Sequence, residues 1–161
     1  MLRGMAERAD GRDAAGARMH NLGAAVFAQA GREMDRELQM LGATRSCAYE
    51  LPGAGDLYVT SQGGRNVRLG RPLGLGHTYA ESRAVMAGET LDGAETVRAV
   101  SRALPKLQAR GRVAPEELPR MRALVCVVVD GQATDLALDG FFGQEAFFTS
   151  RWQAGSLGGL L

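Results

Sequence analysis

The chain has 161 residues, 45% of them apolar, and a formal net charge of +1. This length and composition are typical of one globular domain. The near-neutral charge excludes a general electrostatic attraction to nucleic acid or to an anionic membrane surface. The longest apolar run, 123–129, is far shorter than the roughly 20 residues of a membrane-spanning helix, and the N-terminus lacks a signal-peptide pattern. We therefore expect no nucleic-acid partner and no membrane span, and we predict a cytoplasmic protein.

The first half of the chain predicts one long helix followed by a break. Residues 14–41 contain no proline, and their apolar residues recur at the spacing of one helical face. Residues 42–64 contain Pro52 and five glycines, so this segment is predicted to interrupt the helices. A second helix is predicted over 65–73.

Helical patterns continue through the middle of the chain. Thr78 and Glu81 form a capping-box pattern that opens a helix over 78–86. Asp92 is predicted to be the N-cap of the next helix, which Pro105 should kink or end. That helix carries four apolar residues at helical spacing that predict a stripe facing the core: Val97, Val100, Leu104 and Leu107.

The last helices are predicted from Pro115 onward. Pro115 suits the first turn of a helix whose inward-facing residues continue at even spacing from Leu118. The β-branched run 125–129 also fits a strand by propensity, but the continuous spacing favours a helix. A short helix is predicted over 134–142. Because no convincing strand pair appears, the predicted class is all-α, with one helical domain over 1–148 and a flexible tail over 149–161.

Cysteine and histidine give no sign of a metal centre. Cys47 and Cys126 lie far apart, and neither a CxxC nor a Cys/His ligand spacing is present. A structural zinc site is therefore not expected, and no other metal is predicted. His20 and His77 have no matching ligands nearby in sequence, so we interpret them as surface or capping side chains.

The most informative segment runs from Gly53 to Asn66 and reads GAGDLYVTSQGGRN. Asp56 and Thr60 are four residues apart and would share one face of a helical turn, where they can hold a hydroxyl-bearing substrate. Arg65 and Asn66 follow two glycines and open a predicted helix, and backbone N–H groups beside a guanidinium suit a phosphate. Spacing alone favours a simpler interpretation, in which the loop is a connection and Arg65 is solvated.

The order of residues in this segment resembles the NAD(P)-dependent glycerol-3-phosphate dehydrogenase family, which carries Gly-Leu-Gly-Asp-Leu, then Thr-Cys, then Arg-Asn ahead of a helix. Weaker matches to other family segments are Asn21-Leu22-Gly23-Ala24-Ala25 and Leu91-Asp92-Gly93, and the resemblance covers residues 4–143. It implies the C-terminal, substrate-binding domain of that family. The fold it implies is all-α and similar to the C-terminal domain of 6-phosphogluconate dehydrogenase.

The resemblance also implies a reaction and a role for each site residue. The reaction is hydride transfer between NAD or NADP and C2 of glycerol 3-phosphate or dihydroxyacetone phosphate, in carbohydrate and glycerophospholipid metabolism. Asp56 and Thr60 would belong to the catalytic network, and Arg65 and Asn66 would bind the substrate phosphate. Arg65 and Asp92 would also lie on the cofactor side. NAD and NADP are not distinguished, because the residues that recognise the 2′-phosphate belong to the dinucleotide-binding domain.

Two parts of the family pattern are missing. No strand–GxGxxG–helix unit is present, so the Rossmann domain is expected to be absent, and Gly74-Leu75-Gly76 is interpreted as a turn. The family lysines are missing as well, since one of their positions carries Gly23, and Lys106 is interpreted as a surface residue. We therefore expect a half-site that binds no cofactor and shows no turnover alone, with the Rossmann domain or a second copy as its partner.

Two other functions stay open from the sequence. One is a helical dimerisation or binding module without turnover. The other is a domain of a related dehydrogenase that acts on a different phosphorylated or carboxylated small molecule.

Overall fold

The computed structural model describes residues 1, 5, 20–114 and 116–134 of the chain. Between residues 20 and 134 the described chain is helical and contains no strand, so the predicted all-α class is confirmed. The segments 135–142 and 149–161, for which a helix and a tail were predicted, lie outside the described residues. The helices in chain order are α1 (His20–Met40), a π-helix (Leu51–Gly55), α2 (Asp56–Gln62), α3 (Arg65–Gly74), α4 (Tyr79–Val85), α5 (Asp92–Ala109) and α6 (Pro119–Val128).

One hydrophobic core joins α3, α5 and α6 with the ends of α1 and α4. In the predicted stripe of α5, Val97 and Leu104 are buried, while Val100 and Leu107 are partly buried against the core. This confirms the inward face of α5. The other buried members of the core are Met40, Leu69, Leu73, Met86, Leu91, Ala94, Val113, Leu118, Met121, Val127 and Val128.

The predicted break over 42–64 was wrong for its second half. The π-helix begins at Leu51 and leads directly into α2, so the segment 51–62 is helical. Pro52 is tolerated because it lies in the first turn of the π-helix, where a backbone N–H has no intrahelical acceptor in any case. The glycine content of the segment had suggested a loop, but Gly53 and Gly55 lie within the π-helix, and only Gly63 and Gly64 separate α2 from α3.

Two boundaries around α5 also differ from the prediction. The N-cap of α5 is Leu91, and Asp92 is the first helical residue, so the capping role predicted for Asp92 was wrong. The helix then continues through Pro105 to Ala109 instead of ending there. Burial of Leu104 next to the proline explains this continuation, since packing of an apolar face outweighs the loss of one backbone hydrogen bond.

The last described helix begins four residues later than predicted. α6 starts at Pro119, and the residue before it, Leu118, is in the left-handed conformation at φ 61° and ψ 49°. Proline suits the first helical position because it has no N–H to satisfy. Within α6, Met121 and Val128 are buried, so the predicted inward face and the preference for helix over strand are confirmed.

The start of α6 is capped by a side chain from α1. The carboxylate of Glu33, which is 2% exposed, accepts the backbone N–H of Arg120 at 2.7 Å and that of Met121 at 2.8 Å. These are the two N–H groups of the first turn that lack an intrahelical acceptor, and Leu118 provides no side-chain cap. Gln29 of α1 donates to the same carboxylate at 3.0 Å. Glu33 therefore joins α1 to α6 by directional bonds.

A second polar contact fastens α1 to the loop before α6. Arg36 donates to both carboxylate oxygens of Glu117, at 2.8 and 3.2 Å, and to the carbonyl oxygen of Arg112 at 2.9 Å. Arg112 in turn donates to the carbonyl oxygen of Met40 at 2.9 Å. The hydrogen bond from Arg36, followed by that from the Ala114 N–H, lowers the pKa of Glu117 below its ordinary value of 4.5.

We expect Glu33→Gln to destabilise the chain, because an amide nitrogen would replace one acceptor and leave a buried N–H of α6 unpaired. An unsatisfied buried donor costs about 1–3 kcal/mol, and urea denaturation should show a fall of that size in the free energy of unfolding. The control is Glu95→Gln, which alters an exposed α5 glutamate that lies 3.8 Å from Arg98. Equal free energies for the two variants would contradict the capping role.

The lowered pKa of Glu117 predicts a dependence of stability on pH. A carboxyl group whose pKa is lower in the folded state stabilises the fold above its unfolded pKa and loses that contribution as the pH falls through the folded pKa. The free energy of unfolding should therefore fall below pH 4.5, and Glu117→Gln should remove part of this fall. Burial raises the pKa of Glu37, so this residue changes the stability with pH in the opposite direction. The original chain and the Glu117→Gln variant both retain Glu37, so its effect cancels when their profiles are compared.

The control for this experiment is Glu116→Gln, which changes the exposed neighbouring glutamate. It should keep the pH profile of the original chain. If Glu116→Gln and Glu117→Gln gave the same profile, the ion pair between Arg36 and Glu117 would not be the source of the pH dependence.

Candidate functional site

The starts of α3 and α5 meet beside the end of α2 and form a cleft of about 250 Å³. Four of the five residues that the sequence placed in a site line this one space, and two glycines complete it. The lining residues are Thr60, Gly63, Gly64, Arg65, Asn66 and Asp92. The fold thus brings the Gly-Gly-Arg-Asn segment and the Leu-Asp-Gly segment together, although they are distant in sequence.

The backbone of Gly64 sets the start of α3. Its φ of +114° is a conformation that residues with a side chain rarely adopt, whereas Gly63 is in an extended conformation that any residue can take. Neither α3 nor α5 has a side-chain cap at its start. The first backbone N–H groups of both helices therefore carry partial positive charge beside the cleft, which favours an anion.

Arg65 is the first residue of α3, and two oxygen atoms hold its guanidinium. Nη1 donates to Oγ1 of Thr90, and Nη2 donates to Oδ2 of Asp92 at 3.2 Å. The Arg65 side chain is 46% exposed. Because a guanidinium has five N–H donors, these two contacts leave donors for an anion in the cleft.

Asn66 lies against the first turn of α5. A Cβ atom at Gly93 would lie 2.8 Å from Oδ1 and 2.9 Å from Nδ2 of Asn66, so the approach depends on a glycine at this position. A further ion pair, between Arg68 and Glu89, joins α3 to the segment that precedes α5. The two walls of the cleft are therefore held together by side-chain contacts at successive turns.

Asp56 and Thr60 occupy one side of α2, as their four-residue spacing predicted, but they do not bond through their side chains. The Thr60 hydroxyl donates to the carbonyl oxygen of Asp56 at 2.8 Å and to that of Leu57 at 3.2 Å. The Asp56 side chain is exposed and does not line the cleft. Their joint role in holding a substrate hydroxyl stays a prediction.

Other candidate residues lie away from the cleft. Lys106 is exposed in the last turn of α5, at the end opposite to the cleft, which agrees with its interpretation as a surface lysine. Among the described residues, no group of three or more histidines, cysteines and acidic residues is placed to hold a metal ion. No helix in the described part of the chain has the length and apolar character needed to cross a membrane.

The sequence did not single out Thr90 or the pair of Arg68 and Glu89. No local pattern marks them, since their importance arises only when α3 and the segment before α5 come together. The sequence also did not predict a second, more apolar cleft of about 380 Å³. It lies between α1 and the π-helix and is lined by Phe27, Ala28, Gly31, Arg32, Tyr49, Ala54 and Leu57.

The described residues form a helical domain with a polar-lined cleft at the starts of two helices. Residues 9–139 match the family model of the NAD-dependent glycerol-3-phosphate dehydrogenase C-terminus. Because the match covers most of the chain, the chain belongs to this family, as its motif segment implied.

Two curated relatives agree with this assignment. The chain is 32% identical over 128 residues to a glycerol-3-phosphate dehydrogenase [NAD(P)+] of Zymomonas mobilis, with 78% of the chain and 35% of the relative covered. It is 39% identical over 64 residues to an NADP(+)-dependent glycerol-3-phosphate dehydrogenase of Archaeoglobus fulgidus, with 40% of the chain and 19% of the relative covered. The chain thus spans about a third or less of these relatives. No solved structure matches it significantly.

We expect Gly64→Ala to disturb the cleft and Gly63→Ala to leave it intact. An added Cβ meets no atom within 4 Å at either position, so the two substitutions differ only in the backbone conformation that they must adopt. The strained φ at residue 64 should cost about 1–3 kcal/mol, and urea denaturation of the two variants should resolve this difference. Equal stability of both variants would contradict the conformation assigned to Gly64.

Proposed function

We propose that this chain is the substrate-side domain of an NAD(P)-dependent glycerol-3-phosphate dehydrogenase, with the helical domain covering residues 1–148. The proposed reaction transfers a hydride between the cofactor and C2 of glycerol 3-phosphate or dihydroxyacetone phosphate. The observation that carries the proposal is the cleft in which Arg65 and Asn66 lie beside two uncapped helix starts. This arrangement is suited to a small phosphorylated molecule.

The phosphate would lie against the first turn of α3. Arg65 can donate two parallel N–H groups to phosphate oxygens, and the Asn66 carboxamide and backbone amides add further donors. Two helix starts direct partial positive charge into the same space. These groups favour a phosphate over a single carboxylate, because a phosphate offers more oxygens to the converging donors.

Asp56 and Thr60 would act at the reacting end of the substrate. An ionised Asp56 cannot donate a proton to a carbonyl group, so its role would be to orient and stabilise the charge of a lysine ammonium from the partner domain. The Thr60 hydroxyl can hydrogen-bond to a substrate hydroxyl. Both side chains are exposed in this chain, as groups that meet a second domain would be.

The cofactor of the whole enzyme would be NAD or NADP, whose nicotinamide ring supplies or accepts the hydride. A cleft of about 250 Å³ suits a three-carbon phosphate, but it is too small to enclose a dinucleotide. Arg65 fits a cofactor phosphate, and Asp92 fits a ribose hydroxyl. These residues would therefore touch one edge of the cofactor, and a Rossmann domain would hold the rest.

A second candidate function is a helical binding module that associates without turnover. The cleft between α1 and the π-helix favours it, because this cleft is largely apolar and Tyr49 on its wall is 62% exposed. Outside the lining of this cleft, Leu51 and Leu41 are also 81% and 85% exposed. A Rossmann domain or a second copy of the chain would cover such a surface.

The decisive variant for the first function is Arg65→Ala. The chain should bind glycerol 3-phosphate but not glycerol in an NMR titration. Loss of one charge-assisted hydrogen bond, worth about 1.5–3 kcal/mol, should weaken binding by about tenfold to a hundredfold. Arg65→Lys should recover only part of the affinity, because an ammonium cannot make the two-pronged contact.

The control is Arg110→Ala, which removes an exposed arginine at the opposite end of α5. It should leave the affinity for glycerol 3-phosphate unchanged. If Arg65→Ala bound glycerol 3-phosphate as tightly as Arg110→Ala, the phosphate site would be wrong and the binding module would become the better account.

A further inference from the structure

We propose that Thr90 is a positioning residue that orients the Arg65 guanidinium towards the cleft. The inference rests on the proposed function, because it assumes that Arg65 binds the substrate phosphate. Thr90 does not line the cleft itself. Its effect on the phosphate would act through Arg65.

Two side-chain acceptors hold the guanidinium of Arg65. Thr90 Oγ1 accepts a hydrogen bond from Nη1, while Asp92 Oδ2 accepts one from Nη2. Acceptors on two different terminal nitrogens fix both the position and the plane of the guanidinium. A long arginine side chain would otherwise sample many rotamers, so holding it in one orientation before the ligand arrives increases affinity.

The residues on both sides of Thr90 are held by the fold. The residue after it, Leu91, is 4% exposed and belongs to the hydrophobic core. The residue before it, Glu89, pairs with Arg68 of α3, and its N–H donates to the carbonyl oxygen of Met86 at 3.1 Å. The backbone of Thr90 is therefore held on both sides, which limits the positions that its hydroxyl can take beside Arg65.

The charge of the two acceptors separates their effects. Asp92 carries a negative charge that opposes a nearby phosphate, so removing it would change both the orientation of Arg65 and the local potential. Thr90 is neutral and can hold the guanidinium without repelling an anion. Changing Thr90 therefore tests orientation alone.

The test is the affinity of the 161-residue chain for glycerol 3-phosphate. Thr90→Val keeps the shape of the side chain but removes the acceptor, and it should raise the dissociation constant by about three- to tenfold. Thr90→Ser restores a hydroxyl and should return the affinity towards that of the original chain. The Nε–Hε signal of Arg65 in NMR spectra should shift or broaden in Thr90→Val and recover in Thr90→Ser.

The matched control is Thr96→Val. Thr96 is an exposed α5 residue whose hydroxyl donates to the carbonyl oxygen of Asp92 at 2.9 Å, so this variant also loses a hydroxyl while the partners of Arg65 remain. It should bind glycerol 3-phosphate with the original affinity. All variants should keep the melting temperature of the original chain, which separates positioning from a loss of fold.

The outcomes distinguish the positioning role from the proposed function. If Arg65→Ala weakens binding while Thr90→Val behaves like Thr96→Val, Thr90 does not position Arg65 and the phosphate site stands. Failure of Thr90→Ser to recover affinity would also overturn the role of the hydroxyl. If Arg65→Ala itself leaves the affinity unchanged, the proposed function fails and the positioning role fails with it.

Discussion

The contact between the buried carboxylate of Glu33 and the start of α6 is the constraint on which the helical frame depends. α6 cannot satisfy its own first turn, because the N–H groups of Arg120 and Met121 have no intrahelical acceptor and Leu118 offers no side-chain cap. Glu33 supplies two acceptors from α1, at 2.7 and 2.8 Å. Hydrophobic packing alone permits small rotations of one helix against another, whereas two hydrogen bonds to a buried carboxylate select one arrangement.

This frame determines where the cleft forms. α6 packs against α5, and the start of α5 is one wall of the cleft. Leu91 and Ala94 anchor that start in the core, and Leu69 anchors α3 on the other side. The core thus brings two helix starts together while their polar first residues remain exposed. The phosphate site that we propose follows from this arrangement, because both helices direct the positive ends of their dipoles into one space.

Local patterns in the sequence were sufficient where a residue acts on its own helix. Thr78 caps α4 through a complete capping box, and α3 begins at Arg65 after two glycines, both as predicted. Sequence patterns did not predict the contacts whose two partners lie far apart in the chain. The start of α6 depends on Glu33, and the carboxylate of Asp92 faces Arg65 instead of its own helix. Such contacts exist only after distant segments meet, so no spacing rule predicts them. The motif predicted most of the candidate site, but nothing in it pointed to Thr90.

A crystal structure of the chain soaked with glycerol 3-phosphate would test directly whether the cleft at the starts of α3 and α5 is a phosphate site. We expect the phosphate within hydrogen-bond distance of the Arg65 guanidinium and the Asn66 carboxamide, with the glycerol end directed towards Thr60. A phosphate bound at another surface, with Arg65 contacting only Thr90 and Asp92, would contradict this site.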